Sequence, residues 1–138
     1  MWKLYAVLSA VFAALTSILA KIGIKGVDAN LATAIRTTVI LFLSWGIVFA
    51  IGEHHAIRSL TRHNWTFLIL SGLATGLSWL FYYKAIALGD VSKVAPIDKS
   101  SIVLTLILSY LILGEPFTPK TLLAGGLVVA GTFLLLGK

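Results

Sequence analysis

Trp79-Leu80-Phe81-Tyr82-Tyr83-Lys84-Ala85-Ile86-Ala87-Leu88-Gly89-Asp90-Val91-Ser92-Lys93-Val94-Ala95-Pro96-Ile97-Asp98-Lys99 joins two long apolar runs through one tight turn. Gly89-Asp90 supplies the turn signal. Lys84 lies in the run before it, and Asp98-Lys99 in the run after it. Apolar runs of this length read as membrane-spanning helices, and ionisable groups inside them are costly enough that they mark a transport path.

The whole chain fits that solvent. Hydrophobic residues make up 59% of its 138 positions and charged residues 12%, against about 45–50% and about 25% in soluble domains. Mean hydropathy is +1.00. Five helices of about 20 residues use about 100 residues to cross a hydrocarbon core about 30 Å thick, which leaves only short loops. The net charge of +6 is scattered at the ends of apolar runs, so its expected partners are lipid phosphates and not nucleic acid. With no cysteine there is no disulfide framework, thiolate nucleophile or cysteine metal site.

The predicted fold is an all-α polytopic membrane protein with five transmembrane helices at about residues 2–20, 31–51, 65–88, 92–113 and 119–136, in one domain over residues 1–138. Met-Trp-Lys at the start imitates a signal peptide, but the apolar run continues to about Ile22 without a small-x-small cleavage site and is read as helix one. Lys21 to Gly26 closes it with basic residues and glycine, and Asp28-Ala-Asn30 offers N-cap side chains to helix two. Gly52 to His63 is the sizeable polar loop. Pro96 either occupies the first turn of helix four or breaks a short lead-in from the main helix. Thr118-Pro119 reads as an N-cap followed by proline at the first helical position.

Polar residues inside the spans fall at helical spacings. Thr33, Thr37 and Ser44 mark helix two; Ser71, Thr75, Ser78 and Tyr82 helix three; Asp98, Ser101, Thr105 and Ser109 helix four. Each set lies on one face. Helix five, with Thr121, Gly125 and Thr132, is the poorest candidate for lining a path and is expected at the periphery or between protomers. Small residues at spacing four, as in Gly72-Gly76 and Gly126-Ala130, permit close helix contact.

The candidate substrate-binding residues are Arg36, Trp79, Tyr82, Tyr83, Lys84, Asp98, Lys99, Ser101 and Thr105. Arg36 binds a carboxylate or phosphate bidentately, or reaches the interface. Lys84 and Asp98 lie at about 9 and 12 Å from the turn on neighbouring helices, and are expected to form a coupled pair. The competing readings are a snorkelling Lys84 beside an aromatic belt, and a buried ion pair that only fixes packing. Lys99 projects about 100° away from Asp98 around a helix, so those two are not expected to pair. Lys21, Lys25, Lys93 and Lys138 read as interfacial, and His54, His55 and His63 lack a metal-ligand pattern.

Tyr82-Tyr83-Lys84-Ala85-Ile86-Ala87-Leu88-Gly89, then Val94-Ala95-Pro96, then Leu113-Gly114-Glu115-Pro116-Phe117-Thr118, resemble the third-to-fifth-helix region of an EamA domain of the drug/metabolite transporter superfamily. The five-helix layout extends the resemblance over nearly the whole chain. Most members join two such domains, inverted in the membrane, around a central cavity. The resemblance therefore implies an antiparallel homodimer of this single-domain chain. Lys/Arg counts allow it, at four on one side against three on the other, or seven when helix ends are included.

The expected function is secondary transport of a small polar metabolite by alternating access, with Arg36, Lys84 or Lys99 holding an anionic group, Trp79, Tyr82 and Tyr83 stacking or hydrogen-bonding, and Asp98 balancing charge or accepting a coupling proton. Three cations and one carboxylate in the spans favour carboxylates or phosphates as cargo. The alternatives are a subunit of a lipid-linked-sugar flippase and a non-transporting membrane assembly factor. No enzyme is expected, since no nucleophile-base pair or metal ligand set is present; nor is a cofactor. The expected location is the inner membrane of a prokaryotic cell.

Overall fold

The computed structural model describes residues 1–116 and 118–136. The described residues form helices, turns and loops, without a strand: α1 (Trp2–Gly23), α2 (Ala29–Ala50), a 3-10 segment (Glu53–Ser59), α3 (Arg62–Leu88), α4 (Val91–Lys99), α5 (Ser101–Leu108), a π-helical turn (Ser109–Leu113) and α6 (Pro119–Leu136). Counting Val91–Leu113 as one broken span, five segments of 18 to 27 residues are long and apolar enough to cross a membrane. Their flanks stay uncovered, with Phe42 72% and Leu134 81% exposed. Each such side chain would forfeit about 1.5–3 kcal/mol in water, so lipid is the solvent that suits this surface.

Local chemistry sets the helix ends. Asp28 accepts hydrogen bonds from the backbone N–H groups of Asn30 and Leu31 at 2.9 and 3.1 Å, and so starts α2 at Ala29, ahead of the predicted residue 31. Thr61 and Asn64 form a reciprocal cap: Asn64 N–H donates to the Thr61 hydroxyl at 3.2 Å, and Thr61 N–H to the Asn64 side-chain oxygen at 3.1 Å. That cap starts α3 at Arg62, earlier than the predicted 65. Thr118 and Thr121 repeat the arrangement before α6, with Pro119 in the first helical position as expected. α1 runs on to Gly23, past the predicted residue 20, before Gly26 turns the chain at φ 75°.

Helix four is a lead-in and a main helix, but the break falls at Ser100, four residues after Pro96, and not at the proline where it was expected. α4 contains Pro96 and ends at Lys99; α5 begins at Ser101. At the junction the Ser100 hydroxyl donates to the Ile97 carbonyl at 2.6 Å, and Ser100 N–H reaches both the Pro96 and Ile97 carbonyls. Serine offers the backbone an alternative to the regular ladder, and proline four residues earlier has already removed a donor from it.

Two units make up the chain: one comprises Met1–Ile18 with Leu88 and the residues after it, the other Leu19–Ala87. In the first, α6 packs on α4 and α5. Gly125 is buried there, where a Cβ would lie 3.3 Å from Leu106 Cδ1 and 3.6 Å from Val103 Cγ2. The buried Thr132 hydroxyl shares its one proton between the Val128 carbonyl at 2.9 Å and the Pro96 carbonyl at 3.2 Å. In the second, the buried residues are Ala20 in the last turn of α1 and Ile24 just after it, Thr33 on α2, and Tyr82, Tyr83 and Ile86 on α3. The interfacial reading of Lys138 lies outside the described residues.

Candidate functional site

The second unit carries the candidate site where the beginning of α2 meets the end of α3. Spacings of three and four place Trp79, Tyr82 and Tyr83 on one side of α3. Trp79 meets Tyr82 edge-on, with ring centroids 5.6 Å apart at 79°, and Tyr83 at 5.9 Å and 56°. Arg36 completes the group: its guanidinium carbon lies 3.4 Å from the Trp79 centroid and 5.9 Å from that of Tyr83. Stacking of a guanidinium on indole contributes about 2 kcal/mol when water is excluded.

The depth is what gives this cluster meaning. Arg36 is seven residues into α2 and Trp79 nine before the end of α3, so the cluster lies about 10–14 Å along helices that cross a core about 30 Å thick. A cation at that level pairs with an opposite charge or a carbonyl, lines a water-filled cavity, or reaches the interface. The unit's carboxylates are placed elsewhere. Asp28 caps α2, and Glu53 begins the 3-10 segment after the far end of that helix. Lys21 serves the opposite end of the cluster, donating to the Ile86 carbonyl at 2.5 Å, close to the end of α3 where a cation is electrostatically favoured.

The other candidates are distributed differently. Lys84 is exposed and does not join the aromatic group. In the first unit, Lys99 Nζ lies 3.2 Å from the Asp98 carboxylate. The expectation that these neighbours would not pair is corrected: the four-carbon lysine stem folds back across the 100° offset at the end of α4, where the regular helix stops. Ser101 and Thr105 are exposed on α5, and the Thr105 hydroxyl donates to the Ser101 carbonyl at 3.1 Å.

That last bond belongs to a pattern that spacing alone does not reveal. Thr33 donates to Ala29, Thr37 to Thr33 and Thr75 to Ser71, each at 2.8 Å onto a carbonyl of its own helix. The stripes that read as polar linings have therefore committed many of their protons internally.

Each unit also has a cavity whose lining includes none of the candidate substrate-binding residues. One of about 310 Å³ is bounded by Ser44, Trp45, Val48, Glu53 and Ile57, and one of about 270 Å³ by Val103, Leu106, Thr121, Gly125 and Val129. His54 and His55 have ring centroids 3.9 Å apart, and His54 lies against Phe49 at 5.1 Å. Among the described residues no group of three potential metal ligands gathers.

Gly114-Glu115, quoted above for the resemblance, has a structural role. Gly114 ends the π turn at φ 68° and its N–H donates to the Ser109 carbonyl; the Ser109 hydroxyl donates to the Glu115 carboxylate. The pair closes the C-terminal end of helix four.

Comparison with known proteins agrees with the membrane architecture. A Sinorhizobium sp. protein described as "Uncharacterized transporter in cobO 3'region" is 46% identical over 134 residues, covering 97% of this chain and 95% of that protein. No solved structure matches the chain. The EamA-like transporter family matches residues 1–137. With its five apolar spans, the chain is an integral multi-pass membrane transporter and belongs to the EamA-like transporter family.

Proposed function

We propose that the protein moves a small polar metabolite bearing an anionic group across the cell membrane, by alternating access in an antiparallel homodimer. The observation that carries this reading is Arg36, stacked on Trp79 at 3.4 Å within a membrane-spanning segment whose unit places its carboxylates at helix ends. A cation held at this depth is an anchor for an anion that arrives and leaves. Five spans put the two termini on opposite faces, and a second, inverted copy supplies the other wall of a cavity. The Lys and Arg counts, four on one side against three or seven on the other, give no strong positive-inside bias and so allow insertion in both orientations.

The test is solute uptake into liposomes containing the purified protein, screened over organic acids, amino acids and sugar phosphates, together with topology reporters fused to each terminus. Uptake of an anionic solute that is lost in Arg36→Gln, with reporters showing both orientations, is the expected result. A single orientation removes the antiparallel dimer. Transport confined to neutral or cationic solutes removes the anion reading.

A further inference from the structure

The way Arg36 is presented selects among anions, an inference that deepens the transport reading and rests on it. Trp79 covers one face of the guanidinium at 3.4 Å, and Tyr83 lies to the side at 5.9 Å. The planar edge is left as the working surface. Its paired N–H groups form a fork that matches a carboxylate in two parallel hydrogen bonds.

Charge matching narrows the class further. Asp28 is spent on the N–H groups of Asn30 and Leu31, and Glu53 lies about 25 Å from Arg36 along α2. Within its unit the guanidinium thus offers one uncompensated charge at membrane depth. A monoanion neutralises it, whereas a phosphate dianion leaves a surplus charge in a poorly solvating site.

The surroundings speak to the rest of the ligand. Thr33, Thr37 and Thr75 give their hydroxyl protons to carbonyls of their own helices. Beside the cation, Trp79 is half-buried and is backed by the buried rings of Tyr82 and Tyr83. A polyhydroxylated ligand finds these threonine protons already taken; an apolar or aromatic body meets the uncovered part of the Trp79 indole.

We infer that the site takes a monocarboxylate with an apolar or aromatic body, gripped through the edge of the Arg36 guanidinium while Trp79 holds its face, in preference to sugars and phosphate esters.

The test uses the purified full chain in detergent and radiolabelled benzoate as probe, with benzamide and glucose 6-phosphate as competitors, read by equilibrium dialysis. Benzoate should bind saturably, benzamide and glucose 6-phosphate should fail to displace it, and Arg36→Lys, which keeps the charge but loses the fork, should weaken binding about tenfold or more. Absence of saturable benzoate binding, equal displacement by either competitor, or an undiminished affinity in a folded Arg36→Lys protein overturns the assignment. Should Arg36→Lys fail to fold, the competition series on the unaltered protein still decides it. Arg36-dependent benzoate binding with no solute movement in liposomes would uphold this site and remove the transport reading. Movement of glucose 6-phosphate unaffected by Arg36→Lys would uphold transport and overturn the carboxylate assignment.

Discussion

The Thr132 hydroxyl of α6 donates to the carbonyl of Pro96 in α4 at 3.2 Å, across 36 residues of sequence. The same carbonyl accepts Ser100 N–H at 3.0 Å, immediately before the chain re-enters a helix. α6 is thereby fastened to the broken segment of helix four at the turn where the break occurs. The helix that its sequence makes the poorest candidate for lining a path is the one bonded to the irregular segment of helix four.

Thr132→Val keeps the shape and deletes this donor, so it should lower stability by about 0.5–1.5 kcal/mol, toward the lower end if membrane-helix averages near 0.6 kcal/mol apply. Thermal unfolding in detergent, followed by circular dichroism, measures it. An unchanged midpoint would mean that the bond does not hold α6 to α4.

Gly125 makes a prediction about shape. A Cβ at this position would stand 3.3 Å from Leu106 Cδ1, the end of a flexible side chain, so Gly125→Ala should be accommodated with little loss. Gly125→Ile has no such relief and should cost about 1–3 kcal/mol through overpacking. Gly126, where a Cβ meets nothing within 4 Å, is the control, and Gly126→Ala should be neutral or slightly stabilising. A Gly125→Ile loss no larger than that of Gly126→Ile in thermal unfolding would contradict the packing of α6 on α5.

What the sequence disclosed and what it hid follow from the range of the interactions. The spans announce themselves because apolar length is a local property, and Asp28 and Thr118-Pro119 are legible caps because capping acts within three residues. Arg36 and Trp79 are both candidates by residue type, but their stacking joins positions 43 residues apart and no local spacing encodes it. The Ser100 break was hidden for a different reason: Asp98-Lys99-Ser100-Ser101 reads as ordinary helix, and only the hydroxyl's bond to Ile97 shows where the ladder yields. Spacing revealed that Thr33, Thr37 and Thr75 share faces with other polar residues, but not that their protons point back into the helices. For Thr132 the signal was present in the seven-residue interval from Gly125, which places both on one face of α6.

Gly114→Ala should destabilise by about 1–2 kcal/mol, because φ 68° is left-handed backbone that a Cβ opposes. Glu115→Ala removes the acceptor of the Ser109 hydroxyl and should loosen the same turn. If Glu115 only closes the helix, Ser109→Ala should have a similar effect and the double variant should be no worse than either single one. Additive losses in unfolding midpoint would show that Glu115 acts elsewhere as well.

Asp98 offers the sharpest functional separation. It lies seven residues into its span, about 10 Å deep, beside a helix break that disturbs the backbone ladder. Lys99 is its partner at 3.2 Å, but the two side chains are 35% and 66% exposed, so their pairing contributes at most about 1 kcal/mol. Stability alone thus gives little reason for the pair, and a carboxylate at this depth suits a coupling proton. Asp98→Asn, which cannot take up that proton, should abolish uptake driven by a pH gradient while leaving exchange of solute for solute intact in liposomes. Loss of both activities in a folded protein, with both restored by Asp98→Asn combined with Lys99→Gln, would make the pair architectural. Unaltered gradient-driven uptake would exclude Asp98 as the coupling group. In either case Arg36 and Trp79, in the other unit, would remain to be tested separately as the cargo site.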